Sequence, residues 1–153
     1  MYAATPQPLA LGWLEPVMLP PYPYRLIAKL DTGAKTSSLY AINVRHFTRN
    51  NQSWVSFEVP LRKQQKTLKF SKPLVRTVKI KLKKKQQPTN SKNYIKRPVV
   101  MMPICIDQHK ISVEVSLANR KNFLYPMLIG RKTLQALHAQ INVNKTYTST
   151  PSC

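Results

Sequence analysis

Apolar and polar positions along the chain fall mostly into short runs with a period of two. Residues 11–19 (LGWLEPVML) form an apolar run that stops at the Pro-rich break PPYPY. RLIAKL (25–30) alternates and runs directly into Asp31. SSLYAINVRHF (37–47) and SWVSFEV (53–59) read as two strands around TRNNQ, whose Asn pair suits a hairpin loop. VKIKLK (78–83) alternates cleanly: Val78, Ile80 and Leu82 share one face, Lys79, Lys81 and Lys83 the other. Such a pattern predicts a half-buried strand with a cationic outer face. A polar loop, QQPTNSKN (86–93), follows, and then RPVVMMPICI and KISVEVSL predict a strand pair around DQH. The one helical pattern is RKTLQALHA (131–139), where Leu134, Leu137 and His138 share a face and His138 reads as a core histidine. QINVNKTYT closes the chain as a strand. The predicted class is mainly β with one short C-terminal helix.

Length keeps this to one domain, expected over residues 11–149, with 1–10 as a flexible lead-in and 150–153 as a tail. No apolar stretch approaches the roughly 20 residues that span a bilayer, and the first residues lack the charged flank and long apolar core of a signal peptide. The expectation is a soluble protein, with the compartment open between cytoplasmic and periplasmic or secreted after signal removal. Of the two cysteines, Cys105 lies in an apolar run and reads as a buried free thiol, and Cys153 reads as frayed; a bridge between them stays open.

Charge changes the picture more. The chain carries 25 Lys and Arg against 5 Asp and Glu, a formal charge of +20. Residues 59–106 contain no acid and more than half of the basic residues. A field of this strength suits a polyanionic partner: nucleic acid, an anionic surface or an acidic protein. A weak polyanion-binding set is Lys79, Lys81, Lys83, Lys84 and Lys85, although a solvated cationic face is the plainer reading. Phe70 and Tyr94 are too sparse for a base-stacking platform.

Against that background, one of the five acids ends an apolar strand and is followed by T-G-A. The chain has three glycines, Gly12, Gly33 and Gly130, and each is expected to mark a backbone conformation that a Cβ would forbid. Gly130 follows another apolar run, YPMLI, and opens the helix as G-R. A structural turn acid is the plain reading of Asp31, and a strand-to-helix turn with a solvated Arg that of Gly130–Arg131. The two halves together are more specific than D-T-G alone.

DTGA with the later LIGRKTL resembles one lobe of a retropepsin-type aspartic peptidase. LGWLEPVMLP, IAKLDTGAKTSSLYA, KRPVV, YPMLIGRKTLQAL and INVNKTY are similar, in order, to a bacterial and archaeal retropepsin-like family that carries the name ATP-dependent zinc protease. The resemblance implies a retropepsin-like acid-protease barrel and a homodimer, because two carboxylates must share a proton and one chain supplies a single D-T-G. Asp31 is then catalytic and Thr32, Gly33 and Ala34 support the dyad. Ile129, Gly130 and Arg131 form the second loop packed behind it. Trp13 and Trp54 are expected in the core or the dimer interface.

Two departures from the retroviral pattern stand out. An acid that follows D-T-G-A in those enzymes and pairs with the Arg of G-R is Lys35 here, so Arg131 cannot make that pair; the bacterial family shares the Lys. No Gly occurs between 34 and 129, so a lid is stiff, short or built from the basic segment. His46, His109 and His138 are scattered, with only Asp107 near His109, and no phosphate-binding Gly-rich loop is present. No cofactor is therefore expected, zinc and ATP included. Family members are often found beside ATP-grasp amino-acid ligases, so ATP would enter through a partner. The expected activity is aspartic endopeptidase, on acidic polypeptides such as glutamate-rich tails. The rival is a non-enzymatic module of the same fold that binds nucleic acid or another polyanion.

Overall fold

The computed structural model describes residues 7–81 and 94–153. Its first strand, β1 (Leu9–Met18), is buried along most of both faces, as its nearly continuous apolar run requires. β2 (Arg25–Leu30) buries Leu26, Ala28 and Leu30 on alternate positions. The run expected as one strand over 37–47 is two: β3 (Ser37–Tyr40), fully buried, and β4 (Ile42–Arg49), mostly exposed. They part at Ala41, whose N–H is taken by Ala118 O at 3.0 Å. Asn43 then adopts φ 52° where the β4 register shifts, a conformation Asn tolerates better than most residues. TRNNQ condenses to a two-residue turn, Asn50 and Asn51, both at positive φ, leading into β5 (Gln52–Leu61).

The expected strand at 78–83 is the far end of a much longer one, β6 (Lys66–Lys81). Val78 and Ile80 are half-buried and Lys79 and Lys81 exposed, as the alternation predicts. Leu82, Lys83, Lys84, Lys85 and the loop 86–93 lie outside the described residues. β7 (Tyr94–Ile106) and β8 (His109–Ala118) form the expected hairpin, with Asp107 at φ 52° in its turn. After β9 (Met127–Ile129), the helix α1 spans Arg131–Ala136, three residues shorter than expected. His138 follows it at φ 50°, exposed, so it is not a core histidine. β10 is Ala139–Thr146.

The strands hydrogen-bond in the order β10-β1-β2-β9-β3-β8-β7-β6-β5-β4, and a further β1–β7 pairing joins β1, β2, β9, β3, β8 and β7 into a ring. β1–β10, β2–β9 and β3–β8 are parallel. Leu39, Val100, Met102, Ile104, Met127 and Ile129, all fully buried, are among the residues of the core. Neither tryptophan belongs to it. Trp13 is half-buried edge-on to Tyr125, and Trp54 stacks on Phe47 with Arg49 over its ring at 4.6 Å.

The C-terminal residues run back over the domain. Thr148 and Ser149 bind Glu15, Pro151 is buried, and Ser152 N–H donates to Asp107 O at 2.7 Å. Cys153 is joined to Cys105 in a disulfide with a Cα separation of 6.0 Å. Cys105 is therefore not a free thiol and Cys153 is not frayed; the strap brings the two together across 48 residues of sequence. Among the described residues, no helix is long and apolar enough to cross a membrane.

Candidate active site

β9 lies between β2 and β3, parallel to the first (Leu30↔Ile129) and antiparallel to the second (Ser38↔Leu128). The chain from Leu30 to Ser37 must therefore arch over the end of β9, where Gly130 stands. Asp31 N–H extends the β2–β9 ladder by one bond, to Ile129 O at 2.8 Å. Beyond it, Ala34 N–H donates to Asp31 O at 3.3 Å and Gly33 N–H to Asp31 Oδ1 at 2.8 Å. The short Asp side chain thus closes a turn on its own backbone. Asp31 is half-buried and Thr32 and Gly33 are exposed. Apart from the Gly33 bond, the carboxylate has no hydrogen-bond or ion-pair partner among the described residues.

No glycine has positive φ; contrary to expectation, a Cβ would be opposed by neighbouring atoms, a side-chain oxygen at Gly33 and backbone at Gly130. A Cβ on Gly33 would lie 3.1 Å from Asp31 Oδ1. On Gly130 it would lie 2.8 Å from Thr36 C and 2.9 Å from Ala34 O, within backbone that cannot yield. This close approach lets Arg131 N–H reach Ala34 O at 2.6 Å and Lys132 N–H reach Lys35 O at 3.1 Å. Arg131, which has no acid at position 35 to pair with, donates from Nη1 to Thr32 O at 3.0 Å. The second loop therefore grips the Asp31 loop through its carbonyls at three points.

Two hydroxyls that the sequence reading missed complete the support. Buried Ser37 Oγ accepts Gly130 N–H at 3.0 Å and lies 2.9 Å from buried Thr133 Oγ1. They are 96 residues apart, and a Ser at the start of a strand or a Thr in a helix carries no local signal of such a contact.

Beside the loop is a cavity of about 290 Å³ lined by Ala34, Thr36, Ser38, Val78, Ile80, Arg97, Ser116, Arg120 and Leu128. Since Val78 and Ile80 face it, Lys79 and Lys81 project from the opposite face of β6, away from Asp31. Lys79 lies over the Tyr94 ring at 4.8 Å. Among the described residues, no three His, Cys, Asp or Glu side chains come together as a metal-ligand group.

A family model described as "Retropepsin-like aspartic endopeptidase RimB" matches residues 10–152. The chain belongs to the RimB-like family. Its relatives include proteins named "Probable alpha-L-glutamate ligase", from Desulfotalea psychrophila at 35% identity and Shewanella halifaxensis at 32%, each over 70% of this chain. The chain spans only 22% of the length of those relatives. It is also similar to a crystal structure of Lpg0085, a Legionella pneumophila protein with unknown function (DUF785). That match has a TM-score of 0.77 and 31% identity, over 93% of this chain and 98% of the other.

Proposed function

We propose that this RimB-like chain is an aspartic endopeptidase that works as a homodimer, its strand ring being one lobe of a retropepsin barrel. Asp31 and its counterpart from a second copy share one proton across the two-fold axis. The ionised carboxyl takes a proton from water, and the resulting hydroxide oxygen bonds to the scissile carbonyl carbon. The protonated carboxyl gives its proton to the carbonyl oxygen. Collapse of the tetrahedral intermediate breaks the C–N bond as the amine takes the proton that the first carboxyl drew from water, and a hydroxyl of the intermediate returns its proton to the second carboxyl. Thr32 spans the dyad, Gly33 N–H orients Asp31, and Ala34 shapes the loop. Ile129, Gly130 and Arg131 hold the loop from behind.

One observation carries the reading: the Asp31 carboxylate is oriented by a single backbone N–H and has no other partner among the described residues. Relatives that are named glutamate ligases, and the charge of +20, support an acidic polypeptide such as a glutamate-rich tail as the substrate. The test is cleavage of glutamate-containing peptides by the wild type and Asp31→Asn, with sedimentation equilibrium at the assay concentration. Cleavage lost in the variant and a two-subunit mass are expected. Retained cleavage, or an active monomer, overturns the proposal.

A second reading, polyanion binding without catalysis, is favoured by the outward projection of Lys79 and Lys81, with Lys83, Lys84 and Lys85 as further members of the set. It requires steeply salt-dependent binding that Asp31→Asn leaves unchanged.

A further inference from the structure

The cavity beside the Asp31 loop contains an unusual combination. Arg120 is 8% exposed, and Arg97 is half-buried. Guanidiniums drawn partly out of water are normally matched by a carboxylate, because removing charge from water is costly. Here neither is matched. All five acids, Glu15, Asp31, Glu58, Asp107 and Glu114, lie within the described residues, and the salt bridges are Arg76–Glu114 and Lys132–Glu114. Arg120 Nε donates to Tyr125 O at 3.3 Å and its guanidinium lies over Phe123 at 4.4 Å. Its other donors find no acceptor among the described residues. Burial pulls both guanidiniums below the ordinary Arg range, and for Arg120 the charge of Arg97 adds to the effect.

Ser38 supplies a third donor. Successive strand residues face opposite ways: Ser37 points to Gly130 and Thr133, and Ser38 to the cavity. Ser38 is 7% exposed and its Oγ is buried with no hydrogen-bond partner. A buried hydroxyl without a partner is a standing penalty that a bound acceptor would remove.

We propose that this cavity is a specificity pocket for one acidic side chain of the peptide substrate, with Arg97, Arg120 and Ser38 holding its carboxylate. The assignment rests on the peptidase reading of Asp31 and deepens it. Val78, Ile80 and Leu128 offer apolar wall to the methylenes of a Glu, while planar guanidiniums suit a carboxylate. At about 290 Å³, the cavity is just below the roughly 300–1,000 Å³ range of small-ligand sites, the scale of a side chain. Its position also fits. Ala34 and Thr36 belong to the loop begun by Asp31, and Leu128 precedes the residue whose carbonyl accepts the Asp31 N–H. A peptide lying across Asp31 therefore has a neighbouring side chain at the mouth of the pocket.

The test separates binding from cleavage. Asp31→Asn protein is titrated calorimetrically with tetraglutamate and with tetraglutamine, at matched ionic strength. Tetraglutamate is expected to bind at least about tenfold more tightly, a ratio that corresponds to one charge-assisted interaction. Adding Arg97→Gln should collapse the ratio towards one. Arg97, less buried than Arg120, is the safer variant, and an unchanged melting temperature verifies its fold. Ser38→Val, which removes the donor, should lower the ratio severalfold.

Equal binding of the two peptides, or discrimination that survives Arg97→Gln, overturns the pocket. A single-stranded RNA that displaces tetraglutamate, and does so less well with Arg97→Gln, reassigns the pocket to phosphate and also overturns it. If discrimination holds but the wild type cleaves neither peptide, the pocket stands and the peptidase reading falls. If the wild type cleaves both with the same kcat/KM and binds them equally, the peptidase reading stands and the pocket falls.

Discussion

Asp31 and Glu15 stand on neighbouring parts of the fold: Asp31 directly follows β2, and Glu15 pairs with Ala28 of that strand. Their surroundings are opposite. Glu15 is fully buried and receives five hydrogen bonds. These come from Gly12 N–H at 2.7 Å, Thr148 N–H and Oγ1 at 3.2 and 2.6 Å, and Ser149 N–H and Oγ at 3.0 and 2.8 Å. Asp31 receives one. A carboxylate with all its lone pairs engaged is fixed as an anion and serves to hold the chain together. One with a free oxygen retains capacity for water, a proton or a second carboxylate. In a chain with five acids, the difference separates a structural clamp from a candidate for chemistry.

The largest effect expected at the open end is on rate. Asp31→Asn should lower kcat by at least about 10³-fold, within the range for loss of a general base, while Asn can still accept the Gly33 N–H. The melting temperature should move by no more than about 2 °C, read by calorimetry on the same preparation. A large loss of stability would place Asp31 with Glu15 as a structural acid.

At the closed end the largest expected effect is on stability. Cys105 and Cys153 close a loop across 48 residues, so Cys153→Ser should destabilise by about 4 kcal/mol on the chain-entropy account, measured by denaturant unfolding. Turnover per folded molecule should not change. Turnover that falls in proportion would mean that strap and loop are coupled.

Glu15→Gln comes next, at about 3 kcal/mol, since a neutral amide offers one acceptor where five donors converge. Burial alone would raise the Glu15 pKa, but the bonds from Thr148, Gly12 and Ser149 together outweigh it and hold the group below its ordinary 4.5. Because the folded value is depressed, its contribution is complete above the unfolded value and is lost as pH falls through the folded one. The wild type should therefore lose stability below about pH 4.5 more steeply than Glu15→Gln, as acid titration of the unfolding midpoint would show. Parallel curves would deny Glu15 its role.

What could be read from sequence follows the range of each interaction. Strands with an apolar period, such as Leu26, Ala28 and Leu30, are legible because the signal is local. The break at Ala41 is not, since the residue is itself apolar and its partner is Ala118. The first half of β6 is hidden because Lys66, Lys69 and Lys72 interrupt the buried Leu68 and Phe70. Asp31 and Gly130 are legible as motifs, whereas the Ser37–Thr133 contact that supports them depends on β3, β9 and α1 meeting. Sequence leaves the disulfide open against two separate thiols, because the strap that brings Cys153 to Cys105 is held by Glu15, far from both in sequence. Arg97 and Arg120 look like any other cations in a chain of charge +20; only their meeting at one cavity without a carboxylate distinguishes them.

The smallest effect sharpens the comparison most, because it tests orientation alone. Gly33→Ala leaves Asp31 in place chemically but brings a methyl group to about 3.1 Å from Oδ1. The backbone there has φ that any residue adopts, and the neighbour is the end of a side chain, so stability should change by less than about 1 kcal/mol. The carboxylate must yield by a few tenths of an ångström, lengthening its bond to the Gly33 N–H. If that bond aims the acid, kcat should fall about fivefold with KM unchanged, since small misplacements are felt in the reacting geometry before they are felt in binding. An unchanged kcat would mean that Asp31 is oriented from across the dyad, by its twin and by Thr32, and that the turn serves only to close the loop.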